Sequence, residues 1–271
     1  MTAVERLKVP SIVSRKSKRM LRDRAQLPWL FATLGLCSAC RAERKEVRVI
    51  PDASDDAAAH VSTIDAAATD AIAIDAAKEA WLDTLKNTVV VHIGDSFTHA
   101  HFQQNLRPRF RALGVKYHVS AKTPSYTTSW SVDPELTRLL NLRPKLVIVS
   151  LGANEMDHKT PPAHAFAIKT IAKKIAAVSA ACVWVSPPSW KKERSEFLDV
   201  IRDNCAPCIY FDSDARVSGI ERTSDGIHPS ERGGAKWATA FWEWLLARGD
   251  PTGEAWGLRD VDDSREVVRD R

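Results

Sequence analysis

Short apolar runs rich in β-branched residues alternate along the chain with longer segments in which apolar residues recur every three or four positions. The first pattern predicts buried strands and the second predicts amphipathic helices. Five strands are predicted, at Thr88–Ile93, Val115–Val119, Leu146–Leu151, Ala181–Ser186 and Cys208–Phe211. Helices are predicted between and after them, at Thr98–Leu113, Pro134–Leu142, Pro162–Ser179, Lys191–Asn204 and Glu231–Ala247. This alternation predicts an α/β fold in which a five-stranded parallel sheet carries helices on both faces.

The first predicted strand ends in a sequence that can present a reactive side chain. Residues 89–93 lack the polar alternation of a half-exposed strand, so a strand covered on both faces is expected. Gly94 permits a sharp turn, and Ser96 then lies at the carboxyl edge of the sheet, where open α/β folds bind ligands. Asp95 is predicted to anchor this turn. Taken alone, Gly-Asp-Ser is a common turn sequence, so its meaning depends on the rest of the chain.

Two later blocks give this turn a functional meaning. Asn154 follows the third predicted strand, and Asp225 and His228 lie three positions apart just before the last helix. Together with Ser96, the three blocks occur in the order and context that resemble the SGNH (GDSL-like) hydrolase family, from Val89 to about Leu246. The resemblance implies a flavodoxin-like three-layer α/β/α sandwich and a serine ester hydrolase.

The resemblance also implies the roles of the catalytic side chains. Ser96 is the expected nucleophile, and because a hydroxyl is a weak nucleophile at neutral pH it needs a base within hydrogen-bond reach. His228 is that base, and Asp225 is expected to orient the imidazole ring and to stabilise its protonated form. This mechanism requires no cofactor.

The oxyanion hole departs from the usual pattern of the family. The side chain of Asn154 and the backbone N–H of Ser96 are two expected donors to the developing negative charge. The family usually provides a further N–H from a glycine after the second strand, but residues 120–130 contain no glycine. Ser125 is the predicted substitute.

Several aromatic and histidine side chains lie near the predicted edge of the sheet, where they could contact a ligand. Trp130 and Trp190 are predicted on loops after the second and fourth strands, where they are equally compatible with stacking on a sugar ring and with packing. His99 and His101 lie two positions apart on a predicted helix and so point to different faces. No metal site is predicted.

The cysteines suggest a structural disulfide. Cys205 and Cys208 form a Cys-x-x-Cys sequence, which can close a small disulfide in an oxidising compartment. A thioredoxin-like redox motif is the alternative, but that motif is expected after the first strand and at the start of a helix. The structural role is therefore preferred.

The N-terminal part of the chain has the features of an export signal. Residues 1–40 contain a basic region, then an apolar run too short to span a membrane stably, and end in Ser38-Ala39-Cys40. This ending resembles a bacterial lipoprotein cleavage site, with Cys40 as the lipidated residue and membrane anchor. Ordinary secretion and a retained apolar anchor are the alternatives. The predicted location is therefore outside the cytoplasm, on the periplasmic or surface side of a membrane.

The remaining chain divides into three predicted parts. Residues 41–77 are rich in alanine and aspartate and poor in aromatic residues, which predicts a flexible linker. Residues 78–248 are the predicted hydrolase domain. Residues 249–271 are charged and turn-rich, and a frayed tail is expected there.

The net charge of +5 first suggests an anionic partner. Residues 1–40, however, hold eight of the 39 Lys and Arg residues and two of the 34 acidic residues, so the rest of the chain has 31 basic and 32 acidic side chains. The charge therefore belongs to the predicted signal, and nucleic acid is not predicted as a partner.

The expected activity is hydrolysis of an O-acyl ester, and resemblance to SGNH enzymes that act on acetylated glycans favours an O-acetyl group on a carbohydrate. Lipid esters and thioesters remain open as substrates. Two other classes of function use the same sequence features: an O-acetyltransferase acting on a cell-envelope polysaccharide, and a glycan-binding lipoprotein with weak catalysis. The sequence makes no prediction about the oligomeric state.

Overall fold

The computed structural model of the protein describes residues 75–158 and 161–259. The predicted signal at residues 1–40, its lipidation candidate Cys40 and all of the predicted linker before residue 75 lie outside this part of the chain.

A five-stranded parallel sheet forms the centre of the fold. Its strands are β1 (Val89–Gly94), β2 (Lys116–Ala121), β3 (Leu146–Ser150), β4 (Ala181–Val185) and β5 (Ile209–Phe211). Their order in the sheet is β2-β1-β3-β4-β5, and every neighbouring pair is parallel. The five predicted strands and their parallel arrangement are therefore confirmed. Because the chain leaves β1 toward β2 and then crosses back to β3, the strand order reverses beside β1, and ligand sites of such sheets lie at that point.

Helices cover both faces of the sheet and complete the predicted three-layer α/β/α sandwich. They are α1 (75–84), α2 (Gln103–Ala112), α3 (Thr127–Val132), α4 (Pro134–Leu140), α5 (Ala165–Ala176), α6 (Glu196–Asn204), α7 (Ser213–Arg216) and α8 (Glu231–Ala247). Alternate strand residues point to opposite faces. Val90 accordingly packs in a core with α1, α2 and α8, whereas Val91 packs in a second core with α3, α4, α5 and α6.

The helix predicted at Thr98–Leu113 is interrupted near its start. A π-helical turn occupies Thr98–Phe102, and within it Ala100 and His101 have non-helical backbone angles; the φ of His101 is 67°. The regular helix α2 begins only at Gln103. The interruption faces α8, where Gly234 lies so close that an added Cβ would be 2.7 Å from the carbonyl oxygen of Ala100. Close packing of α8 thus accompanies a break that local helix propensity did not indicate.

The predicted disulfide between Cys205 and Cys208 is wrong. Cys208 is bonded instead to Cys182, with 4.4 Å between their Cα atoms. The parallel pairing of β4 and β5 explains this, because Val183 lies opposite Ile209 and the preceding residues are therefore adjacent. Cys205 is a buried free thiol at the end of α6, and burial raises its pKa to about 12.

The described residues after 248 pack against the domain and do not form the frayed tail that was expected. Trp256 is buried, its ring lies 6.3 Å from that of Trp81 on α1, and its indole N–H donates to the Thr88 hydroxyl. Gly249 and Leu258 also form an antiparallel bridge. The domain therefore extends to Leu258 at least, because the Trp256 side chain and the backbone bridge both hold this segment.

Candidate active site

Ser96 lies in the short connection between the end of β1 at Gly94 and the π-helical segment that begins at Thr98, at the carboxyl edge of the sheet. The turn requires glycine at position 94, because an added Cβ there would lie 2.8 Å from the carbonyl oxygen of Ser150 and still closer to the Thr98 hydroxyl. Ser96 itself is partly exposed, whereas Asp95 and Phe97 on either side of it are buried. The serine side chain is thus presented to solvent by a turn that is fixed on both sides.

A continuous chain of hydrogen bonds joins Ser96, His228 and Asp225. The Ser96 hydroxyl is 2.9 Å from Nε2 of His228, although the two residues are 132 positions apart in sequence. On the other side of the ring, Nδ1 of His228 is 2.6 Å from Oδ2 of Asp225. When Nδ1 carries the proton and donates it to the carboxylate, Nε2 is free to accept the hydroxyl proton.

The Asp225 carboxylate is held in place by its own loop. Its Oδ1 accepts hydrogen bonds from the backbone N–H groups of Ile227 and His228 and from the hydroxyl of Thr223. The hydrogen bond from His228, followed by these other donors, holds the pKa of Asp225 well below its usual range. Asp225 therefore stays ionised at neutral pH and favours the tautomer of His228 that has its proton on Nδ1.

Asn154 lies in a short 3-10 turn, Ala153–Glu155, which begins three residues after the last residue of β3. Its side-chain amide donates to the carbonyl oxygen of Ser125 at 2.8 Å. An amide group carries two N–H donors, so this contact fixes its orientation and leaves one N–H for an oxyanion. Ser125 thus supports Asn154 through its carbonyl, and the proposed donation from its own backbone N–H stays a prediction.

Asp95 connects the turn that carries Ser96 with the turn that carries Asn154. Its Oδ1 accepts from the N–H of Phe97 at 2.9 Å, and its Oδ2 accepts from the N–H of Ala153 at 3.3 Å. Burial raises the pKa of Asp95 to about 7, and the two N–H donors oppose this rise by favouring the ionised form. Asp95 therefore holds the turn after β1, for which an anchoring role was predicted, and also the turn after β3.

Glu155 has a positional role that the sequence did not indicate. It is fully buried, and its Oε1 accepts from the backbone N–H of Thr127, at the start of α3, at 2.5 Å. Burial raises the pKa of this carboxyl. Because α3 follows Ser125, this contact ties the loop after β2 to the turn that contains Asn154.

The two candidate substrate-binding tryptophans have different surroundings. Trp130 is 0% exposed and belongs to the second core, and its indole N–H donates to the Ser125 hydroxyl, so the prediction of a substrate contact is wrong. Trp190 is partly exposed, and its ring centre lies 5.3 Å from that of Phe97. The Phe97 ring in turn lies 5.2 Å from the His228 ring. Trp190 is therefore close to the serine turn.

His99 and His101 have separate partners. Nε2 of His99 is 3.0 Å from the carbonyl oxygen of Ala121, and Nδ1 of His101 is 3.1 Å from Oε1 of Gln104. Within the described residues, no three His, Cys, Asp or Glu side chains are grouped so that they could hold a metal ion.

Two consecutive glycines on α8 allow this helix to pack closely against two segments of the site. An added Cβ at Gly233 would lie 2.1 Å from the carbonyl oxygen of Glu221, and one at Gly234 would lie 2.6 Å from the Cβ of His101. The helix thus contacts both the segment before Asp225 and the segment after Ser96. The sequence signal was a glycine pair near the start of a helix, where glycine is otherwise unfavourable.

Residues 92–236 match the GDSL-like lipase/acylhydrolase family, which is just over half of the chain. The protein therefore belongs to this family, and it is an ester hydrolase of the GDSL type.

This chain is similar in fold to several solved structures. A catalytic mutant of an acetylxylan esterase from Geobacillus stearothermophilus has a TM-score of 0.50 and 13% identity, covering 65% of this chain and 98% of its own. An α/β hydrolase from the metagenome of Lake Arreo, Spain, has a TM-score of 0.49 and 16% identity, with 58% and 94% covered. A putative lipolytic protein of the G-D-S-L family from Desulfitobacterium hafniense has a TM-score of 0.48 and 15% identity, covering 59% of this chain and 100% of its own. No curated protein matches the sequence significantly.

We expect Gly234→Ala to destabilise the protein. Alanine is favoured over glycine in a helix by roughly 1 kcal/mol, so helix propensity alone would stabilise the variant. The added methyl group would instead meet the backbone of residues 100–101, and overpacking of this kind typically costs about 1–3 kcal/mol. Denaturant titration gives the free energy of unfolding of both proteins, and this value should be lower for Gly234→Ala than for the wild type.

The control for this prediction is Gly253→Ala, where the nearest atoms belong to the Asp250 side chain and not to the backbone, the closest at 3.1 Å. The control should change the free energy of unfolding little. A stabilised Gly234→Ala protein would contradict the importance of the close approach between α8 and the serine turn.

Proposed function

We propose that the protein is a serine esterase in which Ser96, His228 and Asp225 act as a catalytic triad. The observation that carries this proposal is the continuous hydrogen-bond chain from the Ser96 hydroxyl through the His228 ring to the Asp225 carboxylate. The side chains of His228 and Asp225 are 34% and 45% exposed, so an ester can approach the serine from the solvent side.

The reaction follows from the roles of these groups. The Ser96 oxygen attacks the ester carbonyl carbon while Nε2 of His228 takes the hydroxyl proton, and ionised Asp225 stabilises the resulting imidazolium. The Asn154 amide and the Ser96 backbone N–H donate to the negative oxygen of the tetrahedral intermediate. His228 then returns the proton to the alcohol as the C–O bond breaks. Water, activated by the same histidine, attacks the acyl-serine and releases the acid.

The proposed substrate is an O-acetyl ester on a carbohydrate. Two observations support this class. The fold is similar to that of an acetylxylan esterase. Trp190 is a partly exposed residue whose ring contacts Phe97, and the Phe97 ring contacts the ring of His228. A partly exposed indole near a reaction centre can offer an apolar face on which a sugar ring stacks.

We further propose that the protein is exported and anchored to a membrane by a lipid on Cys40. The support is the sequence pattern of residues 1–40, which lie outside the described part of the structure. In that described part, none of the helices has the length and apolar character needed to cross a membrane.

Ser96→Ala should abolish hydrolysis of p-nitrophenyl acetate by the full-length protein. Loss of the nucleophile of a triad typically lowers kcat on the order of 10⁴–10⁶-fold. Asp225→Asn should lower kcat by about 10²–10⁴-fold, because the amide no longer favours the correct tautomer of His228. Release of p-nitrophenol measures both effects.

Ser224→Ala is the matched control for the triad variants, because Ser224 is an exposed serine in the loop that carries Asp225 and His228. It should retain the wild-type rate. Equal rates for the wild type and Ser96→Ala would remove the serine esterase proposal.

Trp190→Ala should separate a carbohydrate substrate from a simple ester. If the indole stacks on a sugar, its removal should raise KM for an acetylated xylo-oligosaccharide by roughly 2–10-fold, which corresponds to about 0.5–1.5 kcal/mol of binding free energy. The KM for p-nitrophenyl acetate, which has no sugar ring, should stay nearly unchanged. Released acetate is measured, with and without unacetylated oligosaccharide as an acceptor. A rate that depends on the acceptor would indicate an acetyltransferase, and a preference for lipid esters would contradict the carbohydrate proposal.

Cys40→Ser should prevent lipid attachment. Cells fed an alkyne-bearing fatty acid should label the wild-type protein and Cys37→Ser, because only the cysteine at the proposed cleavage site receives the lipid. Fluorescence after click coupling to the immunoprecipitated protein measures this. Undiminished labelling of Cys40→Ser would contradict the anchor.

A further inference from the structure

Arg222 lies immediately before the loop that carries Asp225 and His228. Residues 222 and 229 form an antiparallel bridge, so the segment between them is a closed loop. Inside this loop the N–H of Thr223 donates to the carbonyl oxygen of His228 at 2.8 Å. Arg222 therefore lies at the base of the loop, where the bridge with Pro229 brings the two ends of the loop together.

The guanidinium group of Arg222 connects two separate loops. Its Nη1 donates to the carbonyl oxygen of Ile227 at 2.8 Å, directly before His228. Its Nη2 donates to the carbonyl oxygens of Pro188 and Ser189, at 3.1 and 2.8 Å, in the loop that follows β4. A single side chain thus joins the histidine loop to a loop anchored on the sheet.

The loop after β4 can serve as a fixed reference because it is held from its other side as well. Asp214 accepts hydrogen bonds from both the backbone N–H and the hydroxyl of Ser189, at 2.7 and 2.5 Å. Ser189 is followed by Trp190, whose ring packs on Phe97 beside Ser96. The position of the histidine loop is therefore set, through Arg222, relative to the neighbours of the nucleophile.

The exposure of the histidine loop makes this contact important. Residues 223–227 are all exposed, so burial of apolar side chains can contribute little to fixing them. Arg222 itself is partly buried, and its planar group presents donors in fixed directions toward carbonyl oxygens on two sides. A lysine would offer a single flexible ammonium group in the same place.

We propose that Arg222 is a positioning residue that holds the Asp225–His228 loop at hydrogen-bond distance from Ser96. This inference rests on the proposed esterase function. A displacement of about 1 Å in a catalytic group can cost about 100-fold in rate. Loss of the guanidinium should therefore affect turnover much more than substrate binding.

The test compares Arg222→Gln and Arg222→Lys with the wild type, as full-length proteins. Arg222→Gln should lower kcat for p-nitrophenyl acetate by about 10–100-fold with less than a threefold change in KM. Arg222→Lys should recover part of the loss. Arg232→Gln is the matched control, since Arg232 is an exposed arginine that approaches the neighbouring Glu221 at 4.0 Å, and it should keep the wild-type rate.

Hydrogen–deuterium exchange provides a second measurement that does not depend on catalysis. Peptides containing residues 223–228 should exchange faster in Arg222→Gln than in the wild type or Arg232→Gln, while peptides from β1 and β3 should be unchanged. If the wild-type protein hydrolysed no ester, the esterase proposal would fail, and the exchange data would still decide whether Arg222 holds the loop.

Three outcomes would overturn the positioning role. The first is unchanged exchange in residues 223–228 of a folded Arg222→Gln protein. The second is a kcat within twofold of the wild type. The third is failure of both Arg222 variants to fold, judged by circular dichroism, which would indicate that the side chain supports the whole domain rather than one loop.

Discussion

Two backbone N–H groups that meet on the buried carboxylate of Asp95 hold the serine turn and the asparagine turn together. The turns follow β1 and β3, which are adjacent only because the strand order reverses beside β1. The carboxylate accepts from Phe97 on one side and from Ala153 on the other. The proposed nucleophile and the proposed oxyanion donor are therefore positioned by one side chain whose contacts are with the backbone of these two turns.

This arrangement has an energetic cost. Burial raises the pKa of Asp95 to about 7, so its ionised form is less stable in the folded protein than in water. In the unfolded chain an aspartate ionises at about pH 4, whereas Asp95 in the folded protein has a pKa of about 7. Because the folded state keeps the proton longer, the free energy of unfolding falls as the pH rises between these two pKa values. Glu155, also buried and also with a raised pKa, adds like charge nearby. The site is thus built at the expense of stability near neutral pH.

Much of the fold and part of the site could be predicted from the sequence because they depend on local patterns. The β-branched runs identified the strands, and the parallel topology implied that Ser96 and Asn154 share one edge. The disulfide could not be predicted, because its pairing depends on the register of β4 with β5 rather than on the spacing between Cys205 and Cys208. Trp130 was predicted on a loop but lies on α3, because this helix has only six residues and its apolar pattern is too brief to recognise.

The two sides of the site are fixed by different kinds of interaction. Ser96 is held by buried groups, so its position follows from the packing of the sheet. The Asp225–His228 loop is exposed, and hydrogen bonds must supply the constraint that packing cannot: those of the Asp225 carboxylate inside the loop and those of Arg222 at its base. Hydrogen bonds are directional, so they can fix a ring orientation that apolar contacts alone would leave open. The histidine can therefore be accessible to an ester and still be oriented toward the serine, through Asp225 within the Asp-x-x-His block and through Arg222, which precedes that block.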